Sequence, residues 1–242
     1  MAEMQVNVQV DDDDGCLRNQ GKPSGQLDLS FNTSDVINAE FDTDNEEESF
    51  DESPLSMDWV DLTNYKLPAD GLAITSLPGC RFSETWRNLD QDIAFIKSQG
   101  ITNVMSFCTK GDLNRCRVKN LLEKYAAAGL EVHDCPHEDM IQPEIENLMK
   151  IIEQLELNLN AGKKTLMHCC VGLGRSCLVA ACLMMLHNPE LEPEKAIENI
   201  RSIRGHRAVQ SIKQFNFITD FRTELNEFLT KTEEATARAL SR

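Results

Sequence analysis

Residues 164–187 limit what this chain can fold into more than any other stretch. Lys164 to His168 reads as a short apolar strand and Arg175 to His187 as a strongly apolar helix broken at Pro189, with only Cys169 to Gly174 between them. A strand that feeds a helix through so short a loop aims several backbone N–H groups of the loop at one point, at the positive end of the helix. Gly172 and Gly174 let that loop take left-handed angles and bring its backbone close to a ligand.

The same alternation recurs upstream. Leu72 to Ser76 reads as a strand closed by Pro78-Gly79, Asn88 to Gln99 as an amphipathic helix stopped by Gly100, and Ile101 to Cys108 as a β-branched-rich strand. Val118 to Ala128 is a helix ended by Gly129, Leu130 to Cys135 a strand, and Pro143 opens a helix with Ile145, Leu148, Met149, Ile152 and Leu155 at helical spacing. Glu194 to Ile203 and Ser211 to Leu229 are two further helices. Strands alternating with helices predict an α/β fold, a central, mostly parallel sheet flanked by helices on both faces.

Charge divides the chain. Its net charge is -16, but residues 1–53 hold fifteen acidic residues against Arg18 and Lys22, about -13, which leaves about -3 for the remainder. The reading is therefore an acidic disordered tail over 1–53, a folded domain over 54–231 that carries the Cys169 loop, and a flexible C-terminal tail over 232–242. Ser49, followed by Phe50-Asp51-Glu52, is a phosphorylation candidate in that tail, and the tail's charge can compete with phosphate at the Cys169 loop. The acidity is opposite to that of a nucleic-acid binder. The N-terminus has neither a basic stretch nor an apolar one, and no run approaches a membrane span, so no membrane association is expected. Nine cysteines without disulfide-framework spacing point to a reducing, cytoplasmic or nuclear setting, and no spaced His/Cys set suggests a metal site.

The chemistry concentrates in His168-Cys-Cys-Val-Gly-Leu-Gly-Arg-Ser176. The amides of Cys170, Val171, Gly172, Leu173 and Gly174 form an anion nest, and Arg175 adds a planar fork for two phosphate oxygens. The donors that bind phosphate also stabilise a thiolate at Cys169. A thiolate under a phosphate is an in-line nucleophile and forms a phosphocysteine intermediate. Ser176 can donate to that thiolate as it leaves, and His168 is placed to orient the loop backbone. A carboxylic acid must protonate the leaving alkoxide; Asp139 is the candidate, with Glu138 and Glu144 as competitors. Gln210 and Gln214 can border the site and place water. This chemistry calls for no metal and no cofactor. The neighbouring thiols Cys170, Cys135 and Cys177 are candidates for capturing an oxidised Cys169.

The pattern His168-Cys169-x-x-Gly172-x-x-Arg175-Ser176 resembles the signature of the protein tyrosine and dual-specificity phosphatase superfamily. Gly172 to Leu183, Leu77-Pro-Gly-Cys80, Phe107-Cys-Thr109 and Ile212-Lys-Gln214 resemble more closely its kinase-associated phosphatase branch, over roughly Trp59 to Leu229. The resemblance implies a protein tyrosine phosphatase-like fold, phosphothreonine in the activation segment of a cyclin-dependent kinase as substrate, and a C-terminal helical segment that docks on the kinase. It also implies that Cys169 is the nucleophile, Arg175 the phosphate clamp and Asp139 the general acid. The chain departs from those relatives at Cys170 and Val171, where they carry tyrosine and glycine, and at His206 and Arg207, where they carry smaller residues. The rival readings are a kinase-binding or phospho-binding inhibitor module with secondary catalysis, and hydrolysis of phosphoinositides or RNA 5′-triphosphates. The uncharged loop positions Cys170, Val171 and Leu173 favour a protein substrate. A phosphorylated cyclin-dependent kinase is the expected partner, and monomer the default state.

Overall fold

The structure, a computed structural model, describes residues 50–240. The tail reading through residue 49, with Ser49 and the proposed competition at the Cys169 loop, lies outside the described residues. A five-stranded sheet runs in the order β1 (Met57–Val60), β2 (Leu72–Thr75), β7 (Lys164–His168), β5 (Ile101–Ser106) and β6 (Glu131–Asp134). Only β1 is antiparallel; β2, β7, β5 and β6 run parallel to one another. A short hairpin of β3 (Arg81–Phe82) and β4 (Thr85–Trp86) stands apart from the sheet.

Alternation along the inner strands builds two cores. Leu72, Ile74, Met105 and Met167 face one side, where they meet α4 (Ile145–Asn160), α5 (Arg175–His187), α6 (Pro193–Arg204) and α7 (Ile212–Leu240). Ala73, Val104 and Leu166 face the other and pack with α1 (Leu89–Ser98) and α3 (Leu121–Ala127). Helices thus cover both faces, as parallel strands buried on both sides require. Helix α5 is buried along nearly its whole length, from Arg175 to Met185. That is why its sequence is apolar all round rather than striped.

Local chemistry sets the ends of these elements. Asn88 caps α1 by accepting from the amides of Asp90 and Gln91. A short helix α2 (Lys110–Arg115) that the sequence reading did not anticipate is opened by a capping box, Thr109 against the Asp112 amide and Asp112 against the Thr109 amide. Strand β1 was likewise not anticipated; it adds the antiparallel edge.

Two boundaries differ from the sequence reading. Phe50 to Ser53, assigned there to the tail, are tied to the domain: the Asp51 amide donates to Trp86 O at 2.7 Å, and Arg87 donates to Asp51 and to the Ser53 carbonyl. Arg87 is itself fixed by buried Asp92, and this ion pair secures the segment. At the other end, 232–240, read from sequence as a flexible tail, forms the last, exposed turns of α7. Ala, Glu and Lys are strong helix formers, and the i,i+4 pairs Glu227–Lys231 and Glu234–Arg238 support them.

Candidate active site

The parallel strands deliver three loops to one edge of the sheet. β5 ends at Ser106, β6 at Asp134 and β7 at His168, and the residues after each converge there, as expected at the carboxyl ends of parallel strands. The β7 loop, residues 169–174, is gripped from outside by its carbonyls. The Leu77 amide donates to Cys170 O at 3.1 Å, the Val209 amide to Leu173 O at 2.8 Å, and Arg204 Nε to Gly172 O at 3.1 Å. With these carbonyls held by outside donors, the amides of residues 170–175 make no hydrogen bond to a protein acceptor among the described residues. Unpaired amides at the N-terminus of α5 are the arrangement that suits an anion. Gly172 makes it possible. Its φ is +71°, and a Cβ there would stand 2.4 Å from the Thr75 carbonyl oxygen.

Cys169 begins the loop and is buried. Arg175, also buried, is immobilised by one nitrogen: Nη1 donates to Phe107 O, Asp112 Oδ2 and His137 O at 2.9, 2.8 and 2.8 Å. Its Nε and Nη2 make no hydrogen bond within the protein although both are buried. Burial alone would lower the Arg175 pKa, but Cys169 and the Asp112 carboxylate reverse this and raise it. A guanidinium pinned on one edge and unsatisfied on the other has the form of a receptor for a tetrahedral oxyanion. The Ser176 hydroxyl, one residue on, is likewise buried and without a partner.

Asp139 is half-buried on the loop between β6 and α4. One of its oxygens accepts from the Met140 amide at 3.1 Å and lies 3.5 Å from Arg175 Nε. The turn there is unusual: Met140 has φ of +60°, and its carbonyl accepts from Ser211 Oγ at 3.3 Å. Of the three carboxylates considered, only Asp139 meets Arg175. Glu138 is exposed, and Glu144 serves as the residue before α4.

Gln214 is fully buried. Its Oε1 accepts from the Gln210 and Ser211 amides at 3.0 and 3.4 Å, and its Nε2 has no partner. A methyl on Gly174 would stand 2.9 Å from Gln214 Nε2 and 3.0 Å from Gln210 Oε1, so both glutamines face the phosphate loop. His168 is placed differently from the sequence reading. Its ring does not reach the loop backbone but lies buried in hydrogen-bonding contact with the Tyr125 hydroxyl at 3.3 Å and, more loosely, with Cys108 Sγ at 4.0 Å. Burial, with Arg175 adding to it, drops its pKa to about 3, so the ring is neutral and braces the strand end. Cys177 donates weakly to the Gly172 carbonyl at 3.5 Å, and burial raises the pKa of both Cys177 and Cys135.

Sequence reasoning missed Asp112 and Arg204. Asp112 holds Arg175 at 2.8 Å and Arg115 at 3.1 Å. Burial pushes its pKa up, but Arg175 and the Thr109 amide outweigh that and bring it down to about 2. The Thr109-x-x-Asp112 capping box was readable; its contact with Arg175, far along the chain, was not. Arg204 joins the Gly172 carbonyl to Asp58, and so links the phosphate loop to β1.

A buried cysteine opening a loop at the N-terminus of α5, an arginine with unsatisfied donors and a neighbouring carboxylate, set at this edge of a protein tyrosine phosphatase-like fold, fit a cysteine-based protein phosphatase of the dual-specificity kind. Comparison with known proteins narrows the class. The family model for cyclin-dependent kinase inhibitor 3 matches residues 31–197. The cyclin-dependent kinase inhibitor 3 of Sus scrofa is 40% identical over 210 residues, covering 86% of this chain and 98% of that protein. Human dual specificity protein phosphatase 26 is 30% identical over 155 residues, 57% of this chain and 65% of that one. A crystal structure of kinase associated phosphatase, with its catalytic-site cysteine replaced by serine, superposes with a TM-score of 0.70 at 39% identity, covering 73% of this chain and 98% of that one. The chain belongs to the cyclin-dependent kinase inhibitor 3 family.

Proposed function

We propose that this protein hydrolyses phosphothreonine, and at the same site phosphoserine and phosphotyrosine, through a phosphocysteine intermediate, and that it acts on the activation-segment threonine of a cyclin-dependent kinase. The observation that carries the reading is the state of Arg175: three acceptors hold Nη1, while buried Nε and Nη2 make no hydrogen bond within the protein, Nε having only the 3.5 Å ion-pair contact with Asp139. Leaving buried donors unmade costs about 1–3 kcal/mol each, a cost that a bound phosphate removes.

In this mechanism the phosphoryl group sits among the unpaired amides of the loop with two oxygens on Arg175. The Cys169 thiolate attacks phosphorus in line, the P–O bond to the threonine oxygen breaks, and Asp139 gives that oxygen its proton. Water, positioned by Gln210 and Gln214, then attacks the thiophosphate ester and gives a proton back to Asp139. Orthophosphate leaves, and the Ser176 hydroxyl stabilises the departing thiolate. The preorganised donors act where negative charge concentrates and need no rearrangement during the reaction. The names of relatives, a kinase associated phosphatase and a cyclin-dependent kinase inhibitor, support the kinase as substrate.

The test is steady-state phosphate release from a cyclin-dependent kinase phosphorylated on its activation-segment threonine. Wild type is expected to turn over, Cys169→Ser to bind without turnover, and Asp139→Ala to be slowed by about 10²–10⁴-fold. A wild type that binds the kinase but releases no phosphate from it, from phosphopeptides or from aryl phosphates would leave a binding module instead.

A further inference from the structure

Beside the phosphate loop the fold gathers a second set of reactive side chains. Cys108 Sγ, Cys170 Sγ and a carboxylate oxygen of Asp112 all lie within 4.8 Å of one another. Cys108 and Asp112 are buried and Cys170 is half-buried. A fourth sulfur adjoins them: the Cys116 side chain contacts Cys170, and also Cys80 beyond it. Sequence spacing gave no sign of this set, because its members come from the end of β5, from α2 and from the β7 loop.

We propose that Cys108, Cys170 and Asp112 form a binding site for Zn²⁺, and that occupancy inhibits the phosphatase. Two thiolates and a carboxylate are a borderline-soft donor set that suits Zn²⁺ and is wrong for Mg²⁺ or Ca²⁺, which take oxygen ligands. Tetrahedral Zn²⁺ with Zn–S bonds of about 2.3 Å sets its ligand atoms roughly 3.5–4 Å apart, so atoms within 4.8 Å of one another need to draw in by about 1.3 Å at most. Both thiols lose their protons to solvent on binding, so affinity rises with pH. Two thiolates and a carboxylate exceed the charge of the cation by one, which Arg115 beside Cys170 offsets; in the metal-free protein Asp112 is paired with Arg175 instead. Arg115 Nη2 lies 3.9 Å from Cys170 Sγ, and Arg175 Nη1 lies 2.8 Å from Asp112.

Inhibition follows from shared residues. Asp112 is one of the three acceptors that pin Arg175, and Cys170 is part of the loop itself. A cation that recruits both draws Asp112 away from Arg175 and pulls the loop toward α2, without a bond to Cys169. This inhibitory half rests on the phosphatase reading; the binding half does not.

The test uses the full chain, kept reduced, with Co²⁺ as a spectroscopic probe of the Zn²⁺ site. Thiolate–Co²⁺ charge-transfer absorption is expected in wild type and in Cys169→Ser, displaced by one equivalent of Zn²⁺, and reduced to half or less in Cys108→Ser and in Cys170→Ser. Thermal unfolding reports whether each variant is folded. Cys170→Ser, at a half-exposed position, carries the test if the buried Cys108→Ser does not fold. No band in wild type would overturn the site. So would a band that persists in Cys170→Ser and disappears in Cys169→Ser, which would put the metal on the nucleophile. A Zn²⁺-loaded wild type with undiminished turnover of an aryl phosphate would overturn the inhibition while leaving the site in place.

Discussion

Substituting alanine at Gly172 tests whether close packing beneath the phosphate loop holds its shape. The added methyl would lie 2.4 and 2.6 Å from the Thr75 carbonyl oxygen and carbon, and 2.7 Å from Arg204 Nη2. The first two are backbone atoms of β2, paired with β7, and cannot step aside cheaply. The left-handed backbone, φ +71°, costs an L-residue about 1–2 kcal/mol. Overpacking adds about 1–3 kcal/mol. Together these come to about 2–5 kcal/mol, and at about 2–4 °C per kcal/mol for a domain of this size Gly172→Ala is expected to lower Tm by roughly 4–20 °C. Gly129→Ala is the control: its φ is +82°, but a Cβ there meets nothing within 4 Å, so only the dihedral cost of about 1–2 kcal/mol applies. The assay pairs thermal unfolding with turnover of an aryl phosphate. Gly172→Ala should lose more stability than Gly129→Ala and should also lose most of its turnover, whereas Gly129→Ala keeps its turnover. Equal drops in Tm with equal turnover would refute the reasoning.

Other perturbations follow from the same geometry. Asp112→Asn keeps a hydrogen bond to Arg175 but removes the charge, and should lower kcat/KM on phosphopeptides by about tenfold or more as the guanidinium loses its alignment; unchanged kcat/KM would show that Phe107 O and His137 O suffice. His168 is buried neutral with its pKa lowered to about 3, so between pH 6.5 and 3 the unfolded state takes up a proton that the folded state refuses. Its share of stability is therefore full above pH 6.5 and falls by about 1.4 kcal/mol per pH unit below it. Urea melts at pH 7, 6 and 5 should show that slope, and His168→Asn should flatten it. Asp112, with its pKa depressed from 3.8 to about 2, acts in a separate window: its contribution is full above about pH 4 and is lost as pH falls toward 2. Removing residues 231–242 should shift Tm by less than about 2 °C, because the last buried residue of α7 is Phe221; a larger fall would mean that the distal turns pack on something.

What the sequence made legible was local. The strand, loop and helix over 164–187 could be read because Cys169, Gly172, Gly174 and Arg175 are neighbours in sequence and act together in space. Helix α1 was readable from Asn88, its apolar face and Gly100. Helix α2 was not, because six residues with a single large apolar side chain, Leu113, leave no apolar stripe and only the capping box marks its start. Strand β1 escaped because Met-Asp-Trp-Val pairs with β2 across an intervening turn and shows no clean alternation. The far end of α7 reads as a tail because it carries no stripe of large apolar residues; its helicity comes from propensity and i,i+4 pairs rather than burial. Asp139 was chosen from a loop position and a resemblance, and its contact with Arg175 could be seen only in three dimensions. The same holds for Asp112, Arg204 and the gathering of Cys108, Cys116 and Cys170, each set by strand order rather than spacing. His168 shows the converse error: adjacency to Cys169 suggested a role on the loop, but strand alternation turns its ring toward Tyr125.

The account turns on a covalent bond between phosphorus and Cys169 Sγ, and that bond can be trapped. An aryl phosphate with a good leaving group does not need the general acid, so Asp139→Asn should form the intermediate quickly and hydrolyse it slowly. Rapid acid quench during turnover, followed by mass spectrometry of the peptide spanning residues 164–175, is expected to find phosphate on Cys169 and none on Cys170. Phosphate on Cys170, or steady turnover with no phosphorylated peptide at any quench time, would contradict the account.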